Sequence, residues 1–122
     1  MSFMLRKRIL QGVIKMPLEI ESRIEKDMMI QKMSGVLDIS TVELLHNSIN
    51  YLCEITKVIY DFDNIKFIDS TGVGGIASVI RECQKNKVTI KINNISPEVF
   101  EVLDILGLPE IFGEETFEVK QI

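Results

Sequence analysis

The fold is decided by the stretch Phe67-Ile68-Asp69-Ser70-Thr71-Gly72-Val73-Gly74-Gly75. Two apolar residues are followed by three polar ones and then by three glycines within four positions. Apolar residues recur from there at helical spacing, at Val73, Ile76, Ala77, Ile80 and Cys83. The stretch therefore predicts the end of a strand, a tight turn and the start of a helix. Open α/β folds place their functional sites at this edge of the sheet.

The segments before this stretch predict two strands, a helix and a central strand. Alternating apolar residues predict a hairpin around Asp27, with Ser34-Gly35 ending its second strand. N-cap candidates between Asp38 and Thr41 open a helix. Its apolar face is formed by Val42, Leu45, Ile49 and Leu52. The apolar run at 58–62 predicts a short strand covered on both faces, and the chain turns polar at 61–66.

The segments after the stretch predict a strand at 88–92, a helix that begins at Ser96-Pro97-Glu98 and stops at Gly107, and a short strand at 117–119. The order is β-β-α-β-α-β-α-β. It predicts a single α/β domain with a mixed β-sheet of four to five strands packed against α-helices.

Length, composition and charge limit the function. The 122 residues are 46% hydrophobic and 26% charged, which is typical of one globular domain. The net charge of −4 gives no reason to expect nucleic-acid binding. Residues 1–16 carry four bases and no acid, whereas residues 17–122 carry ten bases and 18 acids, a net charge of −8. Such an acidic body suits a basic protein partner.

Residues 1–16 are predicted to form a basic N-terminal extension, and residues 17–122 the domain. Three interpretations of the extension stay open. It is a disordered tail, a strand at the sheet edge, or an amphipathic helix that contacts a membrane surface through Leu5, Ile9 and Val13. No stretch resembles a secretory signal or a membrane span, so the chain is predicted to be cytoplasmic.

The glycine-rich turn matches no common nucleotide or hydrolase motif. No Lys-Ser or Lys-Thr pair follows it, as a P-loop requires, and its adjacent glycines Gly74 and Gly75 do not fit a Rossmann fingerprint. Ile68 stands where a nucleophile elbow needs glycine. The simplest interpretation is structural, with polar caps and glycines that permit close packing. Against it, two hydroxyls at a helix start face free N–H groups that suit an anion.

Other residues with chemical potential carry little signal. Cys53 and Cys83 occupy apolar helix positions and are predicted to be reduced and buried. The only histidine, His46, lies on the polar side of its helix. No catalytic residue, cofactor or metal site is predicted.

Asp61-Phe62-Asp63 forms a second enzyme candidate. It resembles the aspartate pair of haloacid-dehalogenase-type phosphatases, in which the first carboxylate attacks phosphate. Ile65 departs from that pattern, and the chain is short for the later motifs of that fold. A solvated strand end is the simpler interpretation.

The segment Asp69-Ser70-Thr71-Gly72-Val73-Gly74 resembles the phosphorylation segment of STAS-domain anti-sigma-factor antagonists. Three further motifs occur in the same order over residues 17–119. Gly35-Val36-Leu37-Asp38 is similar to the family's Gly-Glu-Leu-Asp turn, with Val36 replacing Glu, and Val58-Ile59-Tyr60-Asp61 is similar to its central strand. The segment from Asn94 to Phe112 is similar to its last helix and hydrophobic tail.

This resemblance implies a phosphorylation switch and no enzyme activity. It makes Ser70 the acceptor, with Thr71 as the alternative, for an anti-sigma factor that is also a serine kinase. A serine phosphatase would reset the switch, and the domain would be a monomer or weak dimer. The implied partner-binding residues are Asp38, Asp69, Thr71, Gly72, Val73 and Gly74. The alternative function is a STAS scaffold, such as a stressosome component or an accessory subunit of a transporter.

Overall fold

The structure is a computed structural model that describes residues 17–49 and 54–121. Within these residues the chain forms five strands and four α-helices, with a 3₁₀ turn at Glu114–Thr116 between the last helix and the last strand. The strands are β1 (Leu18–Glu25), β2 (Met28–Leu37), β3 (Lys57–Ile68), β4 (Thr89–Ile95) and β5 (Phe117–Val119). The helices are α1 (Val42–Asn47), α2 (Ser70–Lys85), α3 (Pro97–Ile105) and α4 (Leu108–Phe112).

The strands form one mixed sheet in the order β1-β2-β3-β4-β5. β1 and β2 are the antiparallel hairpin predicted around Asp27, and the other neighbouring pairs are parallel. Parallel neighbours need a crossover, and the chain makes each one through helical segments. The predicted fold class, a single α/β domain with a mixed sheet, is confirmed.

The core lies between one face of the sheet and the helices. Alternate residues of the three central strands point into it, including Met33, Val58, Tyr60, Phe62 and Ile92, each at most 1% exposed. The opposite face is more polar. Ile30 and Ile59 on that face are only half-buried, next to the cross-strand pair Lys32 and Asp61. The prediction that the central strand is covered on both faces is therefore wrong.

Two strands are longer than the sequence pattern predicts. Gly35 does not end β2: it adopts a φ of +120°, and the next residue, Val36, donates its N–H to the carbonyl of Pro17. β3 continues through the polar segment 61–66, because that segment contains two register shifts against β2. Such bulges let polar residues stay in a strand while the strand bends.

A buried polar network ties the hairpin to β3 and to the end of α1. The Gln31 side chain is fully buried; its amide oxygen accepts a hydrogen bond from the Ser22 hydroxyl, and its Nε2 donates to the Ser48 carbonyl at 2.6 Å. The Ser48 Oγ lies 2.9 Å from the Tyr60 Oη. Burial raises the pKa of Tyr60 well above its usual range, so the phenol stays neutral and available for this bond.

The described residues include one of the two cysteines that are predicted to be reduced and buried. Cys83 is buried, as predicted, and burial raises the pKa of its thiol to about 11. Cys53, Leu52 and the extension 1–16 lie outside the described residues. None of the helices within 17–49 and 54–121 has the length and hydropathy needed to cross a bilayer.

The network predicts a stability difference between two neighbouring positions of β2. Gln31→Met keeps the length of the side chain but removes the partners of Ser22 and of the Ser48 carbonyl. We expect a loss of ~1–3 kcal/mol in the free energy of unfolding, measured by urea denaturation. The control is Lys32→Met, on the exposed face, for which a change within ~0.5 kcal/mol is expected. Equal stability of the two variants would contradict a stabilising role for the network.

Candidate functional site

The start of α2 lies at the carboxyl edge of the sheet, directly after β3. Asp69 is the N-cap: its backbone is extended, and its Oδ1 accepts a hydrogen bond from the Gly72 N–H at 2.9 Å. Ser70 and Thr71 are the first two residues of the helix, and both are exposed. Both hydroxyls are therefore accessible, and exposure does not indicate whether Ser70 or Thr71 would accept a phosphate.

The end of β2 holds this turn in place. The Asp69 N–H donates to the carbonyl oxygen of Leu37 at 3.1 Å. A methyl group on Gly72 would overlap the same oxygen and would also crowd the side chain of Ile68. Glycine is required at this position because a strand backbone lies where a side chain would be.

The three glycines of the turn have different surroundings. Gly72 is buried against Leu37, and a methyl on Gly75 would overlap the side chain of Val42 in α1. Gly74, in contrast, is exposed and has open space where a side chain would extend. Packing within the described residues therefore accounts for Gly72 and Gly75, and it does not account for Gly74.

Two of the six partner-binding residues named from the sequence lie beneath the surface of the turn. Gly72 is buried and Val73 is only 3% exposed, so both face the core. A partner approaching the turn would instead meet Ser70, Thr71 and Gly74. The small size of Gly72 accommodates the backbone of Leu37.

Asp38 is positioned beside the turn by the loop that follows β2. Its Oδ1 accepts hydrogen bonds from the Ser40 hydroxyl at 2.6 Å and from the Ser40 N–H at 2.9 Å. These bonds lower the pKa of the Asp38 carboxyl, and the bond from the Ser40 hydroxyl has the largest effect. The carboxyl is therefore charged at neutral pH. The buried Thr41 hydroxyl fixes the loop, because it accepts from the Asp38 N–H and donates to the Val36 carbonyl.

Two large apolar side chains at this edge were not singled out from the sequence. Ile39, next to Asp38, is 76% exposed, and Phe67, near the end of β3, is 52% exposed. The alternation of strand residues was the available signal: Ile68 is buried, so its neighbour Phe67 is expected on the opposite face of the sheet.

The Asp61-Phe62-Asp63 pair is held by structural contacts away from this edge. Oδ1 of Asp61 accepts from the Asp63 N–H at 3.0 Å and from Nδ2 of Asn94 at 3.1 Å. Asp63 forms a 2.7 Å salt bridge with Lys120, which lowers the pKa of its carboxyl. A phosphatase acid/base needs a pKa near the working pH, so this arrangement disfavours that role. His46 is exposed on α1, as predicted.

The turn predicts opposite effects for two glycine substitutions. Gly72→Ala should lower the free energy of unfolding by at least ~1–3 kcal/mol, because its methyl meets the Leu37 backbone. Gly74→Ala should raise it by ~0.5–1 kcal/mol, because alanine is the better helix former and nothing obstructs it. Chemical denaturation of both variants tests the difference. A Gly72→Ala variant as stable as wild type would contradict the packing described for Leu37.

Comparison with solved structures places the fold among known proteins. The anti-sigma factor antagonist SpoIIAA in its unphosphorylated form superposes with a TM-score of 0.68 at 23% identity, over 84% of this chain and 90% of that one. The phosphorylated form of the Bacillus cell-fate determinant SpoIIAA gives 0.63 at 22% identity, over 84% and 93%. A sulfate transporter family protein from Wolinella succinogenes gives 0.71 at 18% identity, over 80% and 81%. At these identities the similarity concerns the fold.

A family model decides the classification, because it matches almost the whole described chain. The STAS domain model covers residues 19–121, from the second residue of β1 to beyond β5. The match contains the Asp69-Ser70 turn, the Asp38 loop and the five-stranded sheet. The chain belongs to the STAS domain family.

Proposed function

We propose that this STAS domain is an anti-sigma-factor antagonist that phosphorylation of Ser70 switches off. In its unphosphorylated form it binds an anti-sigma factor that is also a serine kinase, and the sigma factor is thereby released. Phosphorylation breaks this complex, and a serine phosphatase restores it. The domain acts in the cytoplasm as a monomer or weak dimer and has no catalytic activity of its own.

The observation that carries this proposal is the position of Ser70. It is the first residue of a 16-residue helix, is exposed, and follows an aspartate that already caps the helix. SpoIIAA, which shares the fold, is described as an anti-sigma factor antagonist and exists in both unphosphorylated and phosphorylated forms. The Asp69-Ser70-Thr71-Gly72 segment supports the extension of that role to this chain.

Electrostatics explain why a phosphate would block a partner and leave the fold intact. Phosphorylation adds about −1.5 to −2 charges at pH 7. On Ser70 this charge points to solvent near the helix N-terminus, where anions are tolerated. The carboxylate of Asp69 is adjacent and already accepts the Gly72 N–H. The two anions repel each other, and a docked partner would have to desolvate both, a cost that one basic side chain on the partner does not offset.

The turn predicts which hydroxyl accepts the phosphate. Incubation with the cognate anti-sigma kinase and ATP should add one phosphate, measured by mass spectrometry of the intact protein. Ser70→Ala should abolish the addition. Thr71→Val is the matched control, because it removes the neighbouring hydroxyl and keeps the branched shape, and it should still be phosphorylated.

Phosphopeptide mapping tests directly whether Ser70 or Thr71 carries the phosphate. A phosphate on Thr71, with Ser70 unmodified, would overturn the assignment of the acceptor. A wild-type domain that no candidate kinase modifies or binds would favour the alternative of a STAS scaffold or accessory subunit.

A further inference from the structure

The edge of the sheet around Ser70 exposes apolar surface that the domain itself does not use. Ile39 is 76% exposed and Phe67 is 52% exposed, although both are large side chains. Single exposed apolar residues are common on protein surfaces, whereas apolar surface grouped around one site is typical of an interaction surface. Backbone contacts and chain positions place both residues near the turn that carries Ser70.

Ile39 reaches the turn from the side of the loop. It lies two residues after Leu37, whose carbonyl accepts the Asp69 N–H at 3.1 Å. The loop is rigid near this point, since the Thr41 hydroxyl bonds to backbone groups of both Val36 and Asp38. Ile39 is thus presented beside the start of α2 with little freedom of its backbone.

Phe67 reaches the turn from the open face of the sheet. It is paired with Val36 of β2 and precedes Ser70 by three residues. The next residue, Ile68, is 4% exposed and packs beneath α2 near Gly72. Because successive strand residues point to opposite faces, Phe67 lies on the face that no helix of residues 17–49 and 54–121 covers.

We propose that Ile39 and Phe67 are the apolar anchors through which the partner of the Ser70 site docks. This inference rests on the proposed function and deepens it, since it defines the partner's surface: an apolar patch next to a basic side chain. Asp38 precedes Ile39 and Asp69 precedes Ser70 in the chain, and residues 17–122 carry a net charge of −8. A basic and apolar face of the anti-sigma factor complements both features.

A second copy of the domain fits this surface less well than the anti-sigma factor does. A two-fold interface through the anchors would be self-complementary, so each copy would present the same groups to the other. Asp38 and Asp69 of one copy would then approach those of the next. Like charges at an interface oppose association.

The chain offers a matched control on another surface. Ile105, at the end of α3, is 74% exposed, almost the same fraction as Ile39. α3 begins after β4, whose last pair with β3 joins Asn93 to Asp61, seven residues before the end of β3 at Ile68. Ile105 therefore belongs to an element that begins away from the Ser70 turn. An apolar side chain there should not contact a partner docked on Ser70.

The experiment compares Ile39→Thr, Phe67→Thr and Ile105→Thr in the full chain. Calorimetric titration with the anti-sigma kinase that phosphorylates wild type should give at least tenfold weaker binding for the first two. Phosphorylation kinetics should show a raised KM with little change in kcat, because docking and not chemistry is impaired. Ile105→Thr should bind within twofold of wild type, and all three should melt cooperatively as wild type does.

The outcomes separate this inference from the proposed function. If wild type is bound and phosphorylated but Ile39→Thr and Phe67→Thr behave like wild type, the anchors are wrong and the switch stands. If no kinase binds or modifies wild type, the proposed function fails and the anchors fail with it. A wild-type dimer in sedimentation equilibrium that Ile39→Thr dissociates would replace the anti-sigma factor with a second copy as the occupant.

Discussion

The carbonyl oxygen of Leu37, at the end of β2, is the point against which the functional edge of this domain is assembled. It accepts the Asp69 N–H, and it occupies the space where residue 72 would carry a side chain. The first contact fixes the N-cap of α2, and the second lets the helix approach the sheet closely. The same strand end continues into the loop of Asp38 and Ile39, so one backbone group brings two separate segments together beside Ser70.

The residues at the start of α2 differ in whether they face the interior of the domain or solvent. Gly72, Val73 and Gly75 face the sheet or α1, and any larger group at either glycine meets other atoms. Ser70 and Gly74, one helical turn apart, face solvent. A charge added at Ser70 therefore changes the surface that a partner meets and leaves the core packing unchanged. In physical terms this is what a reversible switch needs, because the folded state must survive both of its forms.

Much of the fold could be predicted from the sequence, because its elements follow simple periods. The hairpin, the start of α2, the Ser96-Pro97 start of α3 and the last strand were all expected, and the structure confirms them. The lengths of β2 and β3 were missed, because the bulges that carry residues 61–66 through β3 leave no periodic signal. The different surroundings of Gly72 and Gly74 could not be predicted either. They depend on the Leu37 carbonyl, which is distant in sequence. The apolar pair Phe67-Ile68 alone does not indicate which of the two residues is buried, and in the structure it is Ile68.

We expect phosphate on Ser70 to oppose docking without unfolding the domain. The most direct measurement titrates fully phosphorylated and unphosphorylated protein into the anti-sigma partner by calorimetry, with a thermal melt of each form. We expect the phosphorylated form to bind at least tenfold more weakly, about 1.4 kcal/mol, and to melt cooperatively near the same temperature. Equal affinities for the two forms, or loss of the cooperative melt on phosphorylation, would contradict the claim.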